Sequence, residues 1–424
     1  MPEAKIKGVV KVKDKVNFIQ KISSFTILGD PGCDGLGVEI MTTFAKAMNC
    51  THTDFKIILG DLVPFGLEEF YKHIYGIIND VSRNPVYTLC GNHDTDYYRT
   101  YFGRENYLLV NDDLLIVVLD NSKRIFDAQT LGFLEESLKG YRRKNILILF
   151  HIPAPNSFSA NSMESQEWHK LTAIMDPYKN NIKYILSGHV HSYFSEEVDG
   201  YKIIVSAGGG ARLEFFGRLP DKATSFHHVL RFYFDKDSQL QYEYLSLADA
   251  SYDREIKDEK IQKYLNEVFQ NEAMAYIRYQ FFADDAHEKG FIGIEKLLRA
   301  LSESAFYHAK NYFNVLNNLQ GIGHNLKISC QIEKADLEEL SSKYLPYATK
   351  AHLPLTQYAF GEACGAKNNY SGLLPEAVKV NKAVKDIESA TYYVCTTCGN
   401  TGRLQGKLEH CPICGAPLDK IIKI

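Results

Sequence analysis

The 424 residues are too many for one compact domain and imply two or three, and 45% hydrophobic residues are enough to give each a core. A net charge of −4, from 48 Lys plus Arg against 52 Asp plus Glu, leaves no electrostatic footprint for nucleic acid or an anionic membrane. No run approaches the roughly 20 apolar residues that cross a bilayer, and Met1-Pro2-Glu3-Ala4-Lys5 lacks the apolar core of a signal peptide. A cytoplasmic protein is expected.

Up to about residue 250 the chain reads as α/β. Short β-branched or aromatic runs recur at 25–28, 57–59, 86–89, 114–119, 146–150, 184–186 and 203–205. Most end in Gly, Asp, Asn or His, as buried strands do. Helical patterns lie between them, at 66–81 and 127–141. Beyond a polar linker at Asp249–Asp258 the strand signal vanishes. Heptad-like spacing takes over at Ile261, Tyr264, Leu265 and Val268, then at Ala275, Tyr279 and Phe282. Gly290 separates two long helices, and Pro346, Pro354 and Pro375 are expected to break up the rest of the helical region. The boundaries expected are 1–250 for an α/β domain, 258–388 for an all-α domain and 390–424 for a small Cys/Gly unit.

The polar residues that end the strands carry the chemistry. Gly29-Asp30-Pro31-Gly32, Gly60-Asp61, Gly91-Asn92-His93-Asp94, His151 and Gly188-His189-Val190-His191 each come directly after an expected strand. Carboxyl ends of strands in an open α/β sheet share one edge, so these side chains should converge. Carboxylate and amide oxygens with imidazole nitrogens suit Mn, Fe or Zn. A carboxylate between two ions allows the two-metal arrangement for phosphoryl displacement.

This order of motifs resembles the calcineurin-like metallophosphoesterases over roughly residues 20–250. The resemblance implies two stacked sheets flanked by helices, holding two divalent ions. It implies Asp30 and His191 on the first metal, Asp61 bridging, and Asn92, His151 and His189 on the second. His93 would be the general acid and Asp94 would orient it. The reaction implied is attack of a metal-activated hydroxide on a small phosphoester. Gly-Asp-x-Gly in place of Asp-x-His looks like the purple acid phosphatase branch, which favours phosphomonoesters over diesters. That branch has a Tyr ligand where this chain has Pro64. Asp34, Cys33 or water is left to fill the gap. Gly208-Gly209-Gly210 stands on the same edge, and the 153–177 segment with Trp168 is expected to form loops shaping the pocket.

Of nine cysteines, four form Cys395-Thr-Thr-Cys398-Gly and Cys411-Pro-Ile-Cys414-Gly, 12 residues apart. Four thiolates at this spacing hold one zinc or iron ion. Together with the helices before it, this knuckle resembles rubrerythrin, a ferritin-like bundle with a rubredoxin-like C-terminus. Residues 271–283 and 307–313 look like that family's first two helices, with Glu272 and His308 at ligand positions. The pattern departs elsewhere: Ala305 replaces a carboxylate, Ser342 stands beside Glu339, and Lys367 lies where the fourth helix should supply ligands. A di-iron bundle needs about six ligands, so no intact di-iron site is expected. Packing by Tyr276, Phe282, Leu297, Phe306 and Tyr312 should hold the bundle, and the bundle should form a homodimer or higher homo-oligomer, as the resemblance implies. The alternative function is a peroxide-reducing oxidoreductase with an accessory phosphoesterase domain.

Overall fold

Apolar runs covered on both faces become the central strands. With the edge strands included, the series is β1 (Gly8–Val9), β2 (Val16–Phe18), β3 (Ser24–Leu28), β4 (Phe55–Ile58), β5 (Pro85–Thr88), β6 (Tyr107–Val110), β7 (Leu114–Val118), β8 (Asn145–Leu149), β9 (Ile182–Ser187), β10 (Tyr193–Val198), β11 (Tyr201–Ser206), β12 (His228–Phe234) and β13 (Leu240–Ser246). The computed structural model describes residues 7–424 except 142–144, 215–224, 248–255, 257, 317–320, 383–385, 405 and 407, and the side chain of Tyr370. Most of the linker expected at Asp249–Asp258 therefore lies outside the described residues.

The strands form two mixed sheets, ordered β1-β5-β4-β3-β12-β13 and β10-β11-β9-β8-β7-β6-β2. Side chains alternate between two cores, as the period of a strand requires. Leu114, Ile116 and Val118 of β7 join Phe25, Ile57 and Leu230 between the sheets, while Leu115 and Val117 face outward onto Leu134 and Trp168. Helices cover the outer faces: α1 (Val38–Asn49), α2 (Glu68–Val81), the short α3 (Tyr98–Tyr101), α4 (Ala128–Gly140) and α5 (Ser165–Met175). Phe44, Tyr71 and Ile74 pack α1 and α2 on the six-stranded sheet, and Leu134, Trp168 and Leu171 pack α4 and α5 on the seven-stranded one. Each such fully buried side chain contributes roughly 1.5–3 kcal/mol. Asp127 starts α4 by accepting the Thr130 N–H at 2.7 Å.

The helical part comprises α6 (Glu259–Glu288), α7 (Ile292–Val315), α8 (Ile322–Glu339), α9 (Leu345–Lys350) and α10 (Pro354–Asn381). Asp258 caps α6 by accepting the N–H groups of Lys260 and Ile261. The first compact unit runs from Met1 to Asn318, so it contains α6 and α7 as well as the sandwich. Helix α7 lies on α1, and Lys310 pairs with Glu39 at 2.8 Å. The second unit, Leu319–Ile424, holds α8–α10 and a three-stranded sheet of β14 (Tyr392–Cys395), β15 (Thr401–Arg403) and β16 (Ile421–Lys423). Among the described residues, no helix is long and apolar enough to cross a membrane.

Three expectations are corrected. The 153–177 segment is loop over 153–164, where Asn161 Oδ1 comes within 2.9 Å of His189 Nε2, and then helix α5; Trp168, expected in a loop, is buried in that helix, its indole N–H donating to Asp199 at 2.8 Å. Trp168 therefore packs the core and shapes no pocket. Pro375 lies inside α10 without ending it; the carbonyl it frees belongs to the exposed residue Ser371, where water can take the bond. The seam between α6 and α7 is made of small side chains, Ala283, Ala286, Ser302, Ala305 and Ala309, all buried. The larger Phe282, Leu297 and Phe306, expected in the bundle core, are 55%, 59% and 43% exposed. Close approach across Ala and Ser leaves Phe282 and Leu297 on the outer faces, while Phe306 packs on Tyr276 and Phe313 on Phe269 between the two helices, with ring centroids 5.6 and 5.4 Å apart.

Candidate active site

Strands β3, β4 and β5 run parallel in one sheet, and β8 and β9 run parallel in the other. Their carboxyl ends meet at one edge, where Asp30, Asp61, Asn92, His151, His189 and His191 come together. Asp30, Asp61 and His189 have φ of 57°, 53° and 71°. Non-glycine residues in that left-handed region carry about 1–3 kcal/mol of strain each and persist where the surroundings over-determine them. Here the backbone of each loop is tied to another: Asp30 N–H to Gly60, Ala211 N–H to Asp30, and Gly188 N–H to His151, at 3.0–3.2 Å.

The ligand atoms of Asp61, His151 and His189 lie within 4.8 Å of one another, as do those of Asp30, Cys33, Asp61 and His191. Asp61 is common to both groups, as a bridging carboxylate must be. His151 Nε2 is 3.2 Å from Asp61 Oδ1 and 3.0 Å from Asn92 Oδ1. Backbone carbonyls fix two of the rings. His151 Nδ1 donates to Leu59 O at 2.8 Å and His191 Nδ1 donates to Arg212 O at 2.8 Å, which turns each Nε2 lone pair inward.

His93 and Asp94 divide their work differently from the expectation. His93 N–H donates to Asp61 Oδ1 at 3.0 Å, and its Nδ1 donates to the carbonyl of Pro64 at 2.6 Å. Nε2 is left for the site. The buried Asp94 carboxylate instead accepts backbone N–H groups of Leu62, Val63 and Gly91, at 2.9, 3.3 and 2.9 Å. It ties the loop after β5 to the loop after β4. A backbone carbonyl, which no side-chain motif reveals, orients the histidine.

Three residues carry no motif that marks them in the sequence. Asn121 accepts the N–H groups of His151 and Ile152, both at 3.0 Å, and donates to Ile152 O. Arg124 donates to His189 Nε2 at 3.1 Å and to Asn161 Oδ1 at 2.8 Å, and Asn161 Oδ1 is 2.9 Å from His189 Nε2. The available signal was the polar turn Asn121-Ser122-Lys123-Arg124 after β7, which ends on the same edge.

The electrostatics are those of a cation site. Burial pushes the Asp30 carboxyl up to about 7 against the attraction of His151. Asp61 is also buried, yet His151 holds it down to about 2, and the pairing lifts His151 to about 9 despite its own burial. Burial, then the His151 and Arg124 charges, push His189 down to about 3, leaving it a neutral donor. Asp30 Oδ2 is fully buried without a hydrogen-bond partner. A Cβ at Gly188 would collide with that oxygen, so only glycine leaves it open. A buried, unpartnered carboxylate oxygen beside a second carboxylate is costly unless a cation joins them. The donor set of carboxylates, amide oxygen and imidazoles fits divalent metal ions.

The cysteine knuckle is a separate site. Cys395 and Cys414 Sγ are 3.7 Å apart, and Cys398 and Cys411 Sγ are 3.6 Å apart. Metal–sulfur bonds of about 2.3 Å in a tetrahedron place sulfurs about 3.8 Å apart, whereas a disulfide needs about 2.05 Å. Two matching turns, Gly399 N–H to Cys395 O and Gly415 N–H to Cys411 O at 2.9 Å, bring the pairs together. Burial opposes ionisation of Cys395, but N–H groups of Cys398 and Thr397 and the facing thiols hold it down to about 6. Asn369 on α10 donates to Asn400 at 2.7 Å and anchors the knuckle.

In the helices, His308 pairs with Glu272 at 3.6 Å. Lys367 pairs with Glu333 at 2.6 Å and Asp336 at 3.0 Å. Its ammonium neutralises the α8 carboxylates that face α10. Glu339 accepts from Tyr344 at 2.6 Å.

Comparison with known proteins divides the chain between residues 193 and 263, whereas its compact units divide after Asn318. The calcineurin-like phosphoesterase family matches residues 23–193 and the rubrerythrin family matches residues 263–362. Rubrerythrin-2 of Clostridium acetobutylicum is 27% identical over 179 residues, 39% of this chain and 97% of that protein. The 3',5'-cyclic adenosine monophosphate phosphodiesterase CpdA of Haemophilus influenzae is 25% identical over 216 residues, 47% of this chain and 78% of that protein. Among solved structures, a purple acid phosphatase from yellow lupin aligns with TM-score 0.45 and 16% identity, over 55% of this chain and 53% of that one. The chain thus joins a calcineurin-like metallophosphoesterase domain to a rubrerythrin-like helical domain and a four-cysteine knuckle.

Proposed function

We propose that this chain hydrolyses a small phosphoester, a monoester in preference to a diester, at a dinuclear metal site. The carrying observation is the convergence of the two donor groups on Asp61, with the buried Asp30 Oδ2 left open between its neighbours. Asp30 and His191 would hold one ion, Asn92, His151 and His189 the other, and Asp61 both. Bound there, two divalent ions supply the Lewis acidity and the activated water that phosphoryl transfer needs. The chain's own residues do the rest. Asp94 and Asn121 fix the loops that carry Asp61, Asn92 and His151. Arg124 offers a guanidinium beside His189 to orient phosphoryl oxygens. His93, its Nδ1 engaged by Pro64, presents Nε2 to protonate the leaving group.

The test is a panel of phosphomonoesters and diesters assayed with Mn, Fe and Zn, run beside Asp61→Ala. Turnover of a monoester that needs added metal and falls by orders of magnitude in the variant supports the reading. Wild-type turnover in Asp61→Ala sinks it. The similarity to a cyclic nucleotide phosphodiesterase favours a second reading, a cyclic nucleotide diester, and the same panel separates the two.

The knuckle is proposed to hold one iron or zinc ion, and the helical part to join a second copy of the chain. The latter rests on α6 and α7, which leave Ile277, Phe281, Phe282 and Leu297 exposed. Light scattering of the full chain at twice the monomer mass is the expected result; a monomer at micromolar concentration would refute it.

A further inference from the structure

The first metal of the proposed pair lacks a donor at both places where the resemblance would supply one, Gly32 and Pro64. The structure shows why neither can serve. A Cβ at residue 32 would collide with the carbonyl oxygen of Leu62, so no side chain fits there. Gly32 N–H also donates to Asp61 O at 2.9 Å, which draws this loop against the next one. Pro64 has no donor side chain, and its carbonyl is taken by His93.

The residue after Gly32 fills the gap. Cys33 is buried, with Sγ 3.1 Å from His191 Nε2. Its sulfur lies within 4.8 Å of ligand atoms of Asp30, Asp61 and His191. His191 Nε2 is 3.7 Å from Asp30 Oδ1. The same pocket holds the unpartnered oxygen of Asp30, which is fully buried. Asp34, the other candidate on this loop, is engaged elsewhere. Its Oδ2 accepts Arg212 N–H at 2.6 Å and lies 3.8 Å from His191 Nδ1, the ring nitrogen turned away from the pocket.

We propose that Cys33 Sγ is a direct ligand of the first metal, completing a donor set of Asp30, Cys33, His191 and the bridging Asp61. The inference rests on the two-metal reading of this site. On binding, the thiol gives its proton to solvent and its sulfur lone pair to the ion, so no redox change is involved. A thiolate here shifts preference toward zinc, iron and cobalt and away from manganese and magnesium, which favour oxygen. The site then differs from an all-oxygen-and-imidazole pair in metal choice, with the same fold around it.

The test uses the full chain with its four-cysteine knuckle loaded first with zinc, then titrated with Co(II). Wild type should gain a near-ultraviolet sulfur-to-cobalt charge-transfer band as the phosphoesterase site fills. Cys33→Ser should lose that band. Loss of a supporting residue beyond the ligands already costs about 10–100-fold in metal affinity, so zinc should bind Cys33→Ser at least that much more weakly. Manganese affinity should change far less. Asp34→Asn, on the same loop, should keep the band. Equal bands and equal zinc affinity in wild type and Cys33→Ser would overturn the inference while leaving the two-metal reading intact. Wild type that takes up no ion beyond the knuckle's would overturn both. If Cys33→Ser fails to fold, X-ray absorption of the wild type decides: about one sulfur at roughly 2.3 Å from zinc supports the assignment, and an oxygen and nitrogen shell alone refutes it. For that measurement zinc goes to the phosphoesterase site and a different metal to the knuckle.

Discussion

Removing the Asp94 carboxylate should loosen the active-site loops rather than misdirect His93. Its Oδ1 accepts Leu62 and Val63 N–H, and its Oδ2 accepts Gly91 N–H, in a site only 2% exposed. Asp94→Asn keeps one carbonyl oxygen for Leu62 and Val63 but sets an NH2 group against Gly91 N–H. A lost charged hydrogen bond costs about 1.5–3 kcal/mol. Part of that is offset, because burial and the Asp61 charge push Asp94 up to about 7 and the neutral amide escapes that repulsion. A net loss of about 1–2 kcal/mol is expected for Asp94→Asn. Asp94→Ala orphans all three N–H groups, at about 1–3 kcal/mol each, for at least about 3 kcal/mol in all. Amide hydrogen exchange at Leu62, Val63 and Gly91 reads this locally. Every 1.4 kcal/mol is about tenfold, so protection should fall roughly tenfold for Asn and at least about a hundredfold for Ala. Suppose instead that Asp94→Asn keeps full protection and reproduces the leaving-group dependence of His93→Ala. Asp94 would then act through the imidazole, and the tie between the two loops would be incidental.

His93→Ala should slow esters with poor leaving groups by roughly 10²–10⁴-fold, the usual range for acid–base catalysis, and activated esters much less; equal losses would assign His93 another role. Cys398→Ser should cost the knuckle its ion, and metal analysis finding the ion retained would show the ligand set to be wrong. Lys56→Met should stabilise the fold by about 1–3 kcal/mol, measured by denaturation. Burial pushes this lysine down to about 8, and its Nζ donates to the carbonyl and hydroxyl of Thr51, both at a long 3.3 Å. Its folded pKa lies below its unfolded one, so the penalty is full below about pH 8 and fades as pH rises toward about 10.4, the ordinary lysine value. The gap between variant and wild type should narrow over that window; a constant gap would locate the effect in packing. Peroxidase activity of the helical part should be negligible, since Lys367 already neutralises Glu333 and Asp336; peroxide turnover that needs iron would contradict this.

Much of the catalytic half was legible because its signals are local. A strand buried on both faces needs an unbroken apolar run, and a parallel strand ends where the chain turns at the ligand edge. Asp30, Asp61, Asn92, His151, His189 and His191 could therefore be placed together from strand ends alone. The paired C-x-x-C turns were legible for the same reason, since each is closed within five residues by its own backbone bond. The mixed polar strand β13 and helix α5 were not, because about half of their residues face water and dilute the pattern.

Tertiary structure decided the rest. Whether Cys33 or Asp34 faces the pocket depends on the carbonyl of Leu62, which leaves residue 32 no room for a side chain, and on Arg212, which engages Asp34. That His93 leans on Pro64 while Asp94 holds three N–H groups is a matter of backbone donors and acceptors, and these are nearly the same for every residue type. That Phe282 and Leu297 face outward comes from the small residues on the α6–α7 seam, whose closeness no helical periodicity reports. Sequence determines which side chains are available and where strands end, because those depend on near neighbours along the chain. Which of them meet depends on atoms distant in sequence, and only the packed fold supplies those.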